Sequence, residues 1–87
     1  MEKIFIYDDY SELSAYEREN GTALSVAVKN AEKALDESIA ALEEHDSEAN
    51  FKAWKLAQSA FDTAFRARKQ AVDKWLGENI ERVEFVY

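Results

Sequence analysis

The hydrophobic positions of the chain follow a strand-like period at both ends and a helical period in between. Residues 2–7 (EKIFIY) are rich in β-branched and aromatic side chains, and residues 80–87 (IERVEFVY) alternate apolar with charged side chains. Both segments predict short β-strands. Residues 22–45 and 47–76 carry apolar side chains at the spacing of amphipathic helices, so each predicts one long α-helix.

The residues around these two helices predict where the helices begin and end. Gly21 breaks the chain, and Thr22 can cap the first turn of the helix that follows. Asp46 or Ser47 can cap the second helix in the same way, and Gly77 suits the left-handed position after its last turn. The predicted linker, His45-Asp46, is too short for anything but an antiparallel hairpin.

Small residues recur along both predicted helices at alternating spacings of three and four. They are Leu24, Ala27, Ala31, Ala34, Ser38 and Ala41 in the first helix, and Ala53, Ala57, Ala60, Ala64, Ala67 and Ala71 in the second. Such a heptad predicts a closely packed alanine seam between the helices, although alanines can also serve helix propensity alone. Larger residues flank the seam and are expected to pack on a further layer: Val28, Leu35, Ile39, Leu42, Trp54, Phe61, Phe65, Val72 and Trp75.

The order of these elements predicts an α+β fold that is mostly helical. A hairpin enters and leaves at one end, so the two terminal strands are expected to form a short antiparallel ribbon on the large-residue side. Residues 8–20 predict a loop with a short helix, because residues 14–17 match a capping box. The expected architecture is β-α-α-β in a single domain spanning residues 1–87.

Composition narrows the function classes. The chain has 87 residues, 47% of them hydrophobic, and a net charge of −7. That apolar content is too high for a disordered acidic segment, and the charge opposes binding to a phosphate backbone while favouring a basic partner. The apolar run near the N-terminus is four residues long and precedes two aspartates, so neither a signal peptide nor a membrane anchor is expected. A cytoplasmic location is the default expectation.

Catalytic and metal-binding residues are scarce. The chain has one histidine, His45, and no cysteine, and His45 in the predicted turn is better explained as a favourable charge at a helix C-terminus. Its neighbours Glu44 and Asp46 lack the spacing of a zinc site. Two glycines cannot make a phosphate-binding loop, and acidic pairs such as Asp8 with Asp9 lie in segments with no predicted cleft. We therefore expect no enzyme activity, no cofactor and no metal.

Acidic residues form two clusters, one near the N-terminus and one at the hairpin tip. The first comprises Asp8, Asp9, Glu12, Glu17 and Glu19. At the tip, short strands are expected to leave some apolar residues uncovered inside a ring of carboxylates. The candidate partner-binding residues are Leu42, Glu43, Glu44, Asp46, Glu48, Phe51 and Trp54. The alternative is that Trp54 belongs to the core and that the carboxylates only keep the chain soluble.

These features favour a non-catalytic protein-binding module, and specifically a small acidic inhibitor that occupies a basic or nucleic-acid-binding surface of a partner. One alternative is a homodimerisation module joined through bare tips or strand edges. Another is nucleic-acid binding through the basic second helix, which carries Lys52, Lys55, Arg66, Arg68, Lys69 and Lys74. No common motif occurs; in general character the chain is similar to phage-encoded inhibitors of host or defence machinery.

Overall fold

The computed structural model describes residues 2–86, which are mostly helical. The elements in chain order are β1 (Ile4–Ile6), α1 (Asp9–Asn20), α2 (Ala23–Glu44), α3 (Glu48–Glu78), a short 3-10 helix (Ile80–Arg82) and β2 (Val83–Phe85). The long helices match their predicted bounds to within two residues. Backbone contacts divide the chain into two compact units: a hairpin unit, Ala23–Arg68, and a terminal unit made of the segments up to Thr22 and from Lys69 onward.

The two strands of the terminal unit pair in parallel, so the predicted antiparallel ribbon is wrong. Ile4 lies opposite Val83, and Ile6 lies opposite Phe85. The physical reason is α1, a complete helix of 12 residues where a loop with a short helix was expected. The antiparallel prediction assumed that β1 leads almost directly into the hairpin; because a full helix separates them, the hairpin does not fix the direction of β2 relative to β1.

Helix α1 begins and ends at strong local signals. Asp8 has an extended backbone, and its Oδ1 accepts hydrogen bonds from the Ser11 backbone N–H at 2.8 Å and from the Ser11 hydroxyl at 2.9 Å. These bonds, the backbone one foremost, lower the pKa of Asp8. At the other end Gly21 has a φ of 90° and donates its N–H to the Glu17 carbonyl. The predicted capping box at residues 14–17 is wrong, because those residues lie inside α1.

The core of the terminal unit lies between the sheet, α1 and the last turns of α3. Its buried members are Ile4, Ile6, Ala15, Val72, Trp75 and Leu76. Strand alternation turns Ile4 and Ile6 inward, and Tyr16 packs edge-on against Trp75 with ring centroids 5.8 Å apart. Burying one such aliphatic side chain contributes roughly 1.5–3 kcal/mol to stability. Of the nine large residues expected to pack on the strands, only Val72 and Trp75 belong to this core; for the other seven the expected packing is wrong.

Helix α3 ends later than predicted, and Gly77 is not its terminating residue. The helix continues to Glu78, and Gly77 does not have a positive φ. Asn79 ends it instead, because its side-chain amide donates to the Trp75 carbonyl at 2.8 Å. The predicted strand at 80–87 is correspondingly shorter, with a 3-10 helix in its first three positions. Tyr87, its predicted last residue, lies outside the described residues.

Arg82 joins this C-terminal segment to α1. Its guanidinium donates to both carboxylate oxygens of Glu19, a bidentate geometry, and also to Asn79 Oδ1 at 2.9 Å and to the Glu2 carbonyl at 3.0 Å. The Arg82 side chain is only 15% exposed. Hydrogen bonds from Arg82 lower the pKa of Glu19, and the same contact raises the pKa of Arg82. The pair therefore favours both charged forms in the folded state.

The hairpin unit is antiparallel, as predicted. Near the tip, the Asn50 side chain donates to the His45 carbonyl at 2.8 Å and to the Ala41 carbonyl at 3.2 Å. At the opposite end, Arg68 Nη1 donates to Ser25 Oγ at 3.3 Å. The Ser47 hydroxyl accepts from the Asn50 N–H at 3.1 Å, which identifies Ser47 as the cap of α3.

The seam between α2 and α3 differs from the predicted alanine seam. The side chains that are at least half-buried along it are Leu24, Val28, Ala31, Leu35, Ser38 and Leu42 in α2, and Asn50, Trp54, Ala57, Phe61, Ala64 and Arg68 in α3. Every second member of the predicted seam is exposed instead: Ala27, Ala34, Ala41, Ala53, Ala60 and Ala67. Both sets have heptad spacing. A rotation that buries leucine and aromatic side chains removes more apolar area from water than one that buries alanines.

Candidate functional site

The predicted tip residues come together where α2 ends and α3 begins. Leu42 and Trp54 are half-buried, whereas Phe51 leaves 46% of its surface exposed. The carboxylates of the predicted ring are all exposed; they belong to Glu43, Glu44, Asp46 and Glu48. Phe51 is thus exposed in the same short stretch of chain as these carboxylates, whereas Leu42 and Trp54, which were also expected to be uncovered, lie mainly in the seam between α2 and α3. We call the four carboxylates the acidic rim.

The aromatic part of the tip is a pair of rings one turn apart on α3. The ring centroids of Phe51 and Trp54 are 5.7 Å apart at an interplanar angle of 50°. The Lys55 ammonium lies 5.8 Å from the Phe51 centroid and 5.7 Å from the Trp54 centroid, within cation–π range of both. Side chains at i and i+3 share one face of a helix, so both rings face the same side.

The acidic rim is only partly neutralised. Glu48 pairs with Lys52 at 3.2 Å, one turn along α3. Within residues 2–86 the carboxylates of Glu43, Glu44 and Asp46 form no ion pair. The His45 backbone N–H donates to the Ala41 carbonyl at 2.9 Å and so continues the last turn of α2. No group of three or more histidine or acidic side chains in the described part of the chain could hold a metal ion.

Apolar exposure extends beyond the tip along one side of the hairpin, which the sequence reasoning did not assign to a site. Phe65 is 45% exposed and stacks on Phe61 with centroids 6.1 Å apart, and Ile39 is 37% exposed. We call this surface the large-residue face; its exposed members are Ile39, Phe51 and Phe65, and the half-buried seam residues Leu35, Leu42, Trp54 and Phe61 adjoin them. In the sequence, the spacing of the large residues indicated this face, but those residues were interpreted only as the support for a further layer of structure.

The N-terminal acidic cluster is used largely within the terminal unit. Asp8 caps α1 and Glu19 pairs with Arg82. Partial burial raises the pKa of Glu12, as do the nearby carboxylates of Asp9 and Asp73. Asp8 and Glu19 stabilise the fold and Glu12 is partly buried in it, so this cluster is a weaker candidate for partner docking than the tip.

Most basic side chains of α3 pair with acids on the same helix. Lys52, Arg66, Lys69 and Lys74 each lie within 4.0 Å of a carboxylate four residues away. Arg68 contacts Ser25 and lies over the Phe65 ring at 5.4 Å. A phosphate backbone would have to compete with these partners, so the geometry offers little support for nucleic-acid binding through α3.

Comparisons with protein-family models, with curated proteins and with solved structures find no match for this chain. Among residues 2–86, no helix combines the length and the apolar character needed to cross a membrane.

Proposed function

We propose that the chain is a non-catalytic protein-binding module that docks its hairpin tip on a basic surface of another protein. The observation that carries this proposal is the exposed Phe51 ring, packed beside Trp54 and close in sequence to four exposed carboxylates, of which three form no ion pair within residues 2–86. Aromatic side chains inside a charged rim are the common anatomy of protein-binding hot spots.

The charge of the tip favours a basic partner. Residues 36–55 hold six carboxylates and two lysines, a net charge of −4. Complementary charge accelerates association and selects against acidic surfaces. In its specific form, the proposal is that the chain inhibits a partner by occupying the surface that otherwise binds nucleic acid. The proposal includes a cytoplasmic location, which cell fractionation tests.

The experiment compares tip variants for binding to a partner purified from the native host. Phe51→Ala should weaken affinity by about 2 kcal/mol or more, measured by calorimetry. The double change Glu43→Lys with Glu44→Lys should slow association, most strongly at low salt. The matched control, Glu32→Lys with Glu81→Lys, makes the same charge change on exposed positions outside residues 36–55.

Circular dichroism should show that every variant keeps the parent's helix content. Equal affinities and association rates for the parent and for folded tip variants would contradict docking through the tip. Binding of nucleic acid by the isolated chain, reduced by loss of Lys55 or Lys69, would favour the nucleic-acid alternative instead.

A further inference from the structure

The hairpin unit has almost no core of its own. Within Ala23–Arg68, Val28 is the one residue classed as buried. Five large apolar side chains in the same unit are more than one third exposed: Val26, Ile39, Phe51, Leu56 and Phe65. Phe51 and Phe65 each leave on the order of 100 Å² in contact with water. Two helices can bury only one stripe each against the other, so a further layer would be needed to cover the rest.

Most of this exposed apolar surface lies on one side of the hairpin. In α3, Phe51, Trp54, Phe61 and Phe65 share one side of the helix, with Gln58 between them, and in α2 positions 35, 39 and 42 fall on one stripe. The exposed alanines occupy the other flank of each helix. From Phe51 to Phe65 the large-residue face therefore spans 14 residue steps of α3, about 21 Å. Two such faces placed together have the layout of a four-helix bundle.

The charge distribution along the hairpin specifies the occupant and its direction. Residues 36–55, the tip half, carry a net charge of −4. Residues 23–35 and 56–68, the base half, each carry a net charge of +1. The Arg68 guanidinium over the Phe65 ring places one of these cations beside the face itself. Two hairpins packed antiparallel would set each acidic tip against a basic base, whereas parallel packing would set two acidic tips side by side.

We propose that the large-residue face binds a second copy of this chain, and that the two hairpins form an antiparallel four-helix bundle around a two-fold axis near the hairpin centre. Because the contact is isologous, each pairing of a tip with a base occurs twice in the dimer. Self-association requires no heterologous partner and stands independently of the docking proposed above. The two contacts share Phe51 and Trp54, so a partner at the tip would compete with the second copy.

Sedimentation equilibrium of the full chain tests this inference. The parent should have a mass of about 20 kDa, twice the 10.0 kDa of one chain. Phe65→Asp and Ile39→Asp should raise the dimer dissociation constant about 30-fold or more, because each places a charge in the contact. Leu56→Asp is the matched control: Leu56 is 73% exposed but lies outside the large-residue face, so this variant should remain dimeric.

Spin labels on single introduced cysteines test the direction, since the chain has no native cysteine. A label at Gln58→Cys, near the hairpin centre, should lie close to its symmetry mate, whereas labels at Glu43→Cys should lie nearly a hairpin length apart. A monomeric parent at submillimolar concentration would overturn the dimer, and close labels at position 43 would overturn the antiparallel packing. A dimer that Phe65→Asp leaves intact would overturn the assignment of the contact to the large-residue face.

The two proposals can fail separately. If the parent is monomeric but folded tip variants still lose partner affinity, the dimer is wrong and tip docking stands. If the parent is dimeric but tip variants keep their partner affinity, tip docking is wrong and the dimer stands.

Discussion

Two alanines on α3 offer a direct test of which stripe faces α2. Ala60 and Ala64 lie four residues apart, and both belong to the predicted alanine seam, but Ala64 is half-buried and Ala60 is exposed. Replacing either with leucine adds the same three carbon atoms. The two variants therefore differ in where the added carbons go and in little else.

The expected magnitudes separate the two variants clearly. Leucine at position 64 should overpack the seam and cost about 1–3 kcal/mol. Leucine at position 60 should change stability by less than about 0.5 kcal/mol, because it points to solvent and the helix propensities of alanine and leucine are close. An unfolding entropy of about 2.1 cal/mol/K per residue gives roughly 0.18 kcal/mol/K for this chain, so Ala64→Leu should lower the Tm by about 5–15 °C.

Thermal melts followed by far-ultraviolet circular dichroism and by calorimetry measure this difference. The parent and Ala60→Leu should melt together, with Ala64→Leu well below them. If Ala60→Leu were instead the destabilised variant, the helices would face each other through the alanine stripe. If both variants melted like the parent, close packing between α2 and α3 would be refuted.

Three further changes test the terminal unit by chemical unfolding. Ile6→Ala should cost about 2–5 kcal/mol, because Ile6 is 1% exposed and its removal leaves a cavity; an unchanged midpoint would contradict that core. Glu19→Gln should destabilise the chain at pH 7. Because the pKa of Glu19 is lowered in the folded state, its charged form stabilises the fold above the ordinary value of 4.5, and this stabilisation is lost as pH falls through the folded pKa. The difference in stability between Glu19→Gln and the parent should therefore close in acid. Glu12→Gln should change stability in the opposite direction. The raised pKa of Glu12 means that its charged form disfavours folding, so the variant should be more stable than the parent at pH 7 and equally stable below about pH 4.

The residues that determine local structure could be identified in the sequence. The long helices, the Ser47 cap and the short turn between the helices depend on side-chain spacing and on hydrogen bonds within a few residues. The tip also followed from local facts, since Phe51 and Trp54 are three apart and the carboxylates around them are consecutive or nearly so. Interactions of this range are encoded in short windows, and a window shows them directly.

Only the tertiary structure decided the direction of β2, the buried stripe of the hairpin and the role of Arg82. The direction of β2 relative to β1 depends on all the elements between them, so underestimating α1 left undetermined a pairing of residues about 80 positions apart. The alanine stripe and the neighbouring stripe of larger residues have the same heptad spacing, so the spacing alone does not show which stripe is buried. The larger free energy of burying leucine and aromatic side chains decides between them. Arg82 reaches Glu19 across 63 residues of chain. Such contacts are selected by the packing of the whole unit, which no local pattern contains.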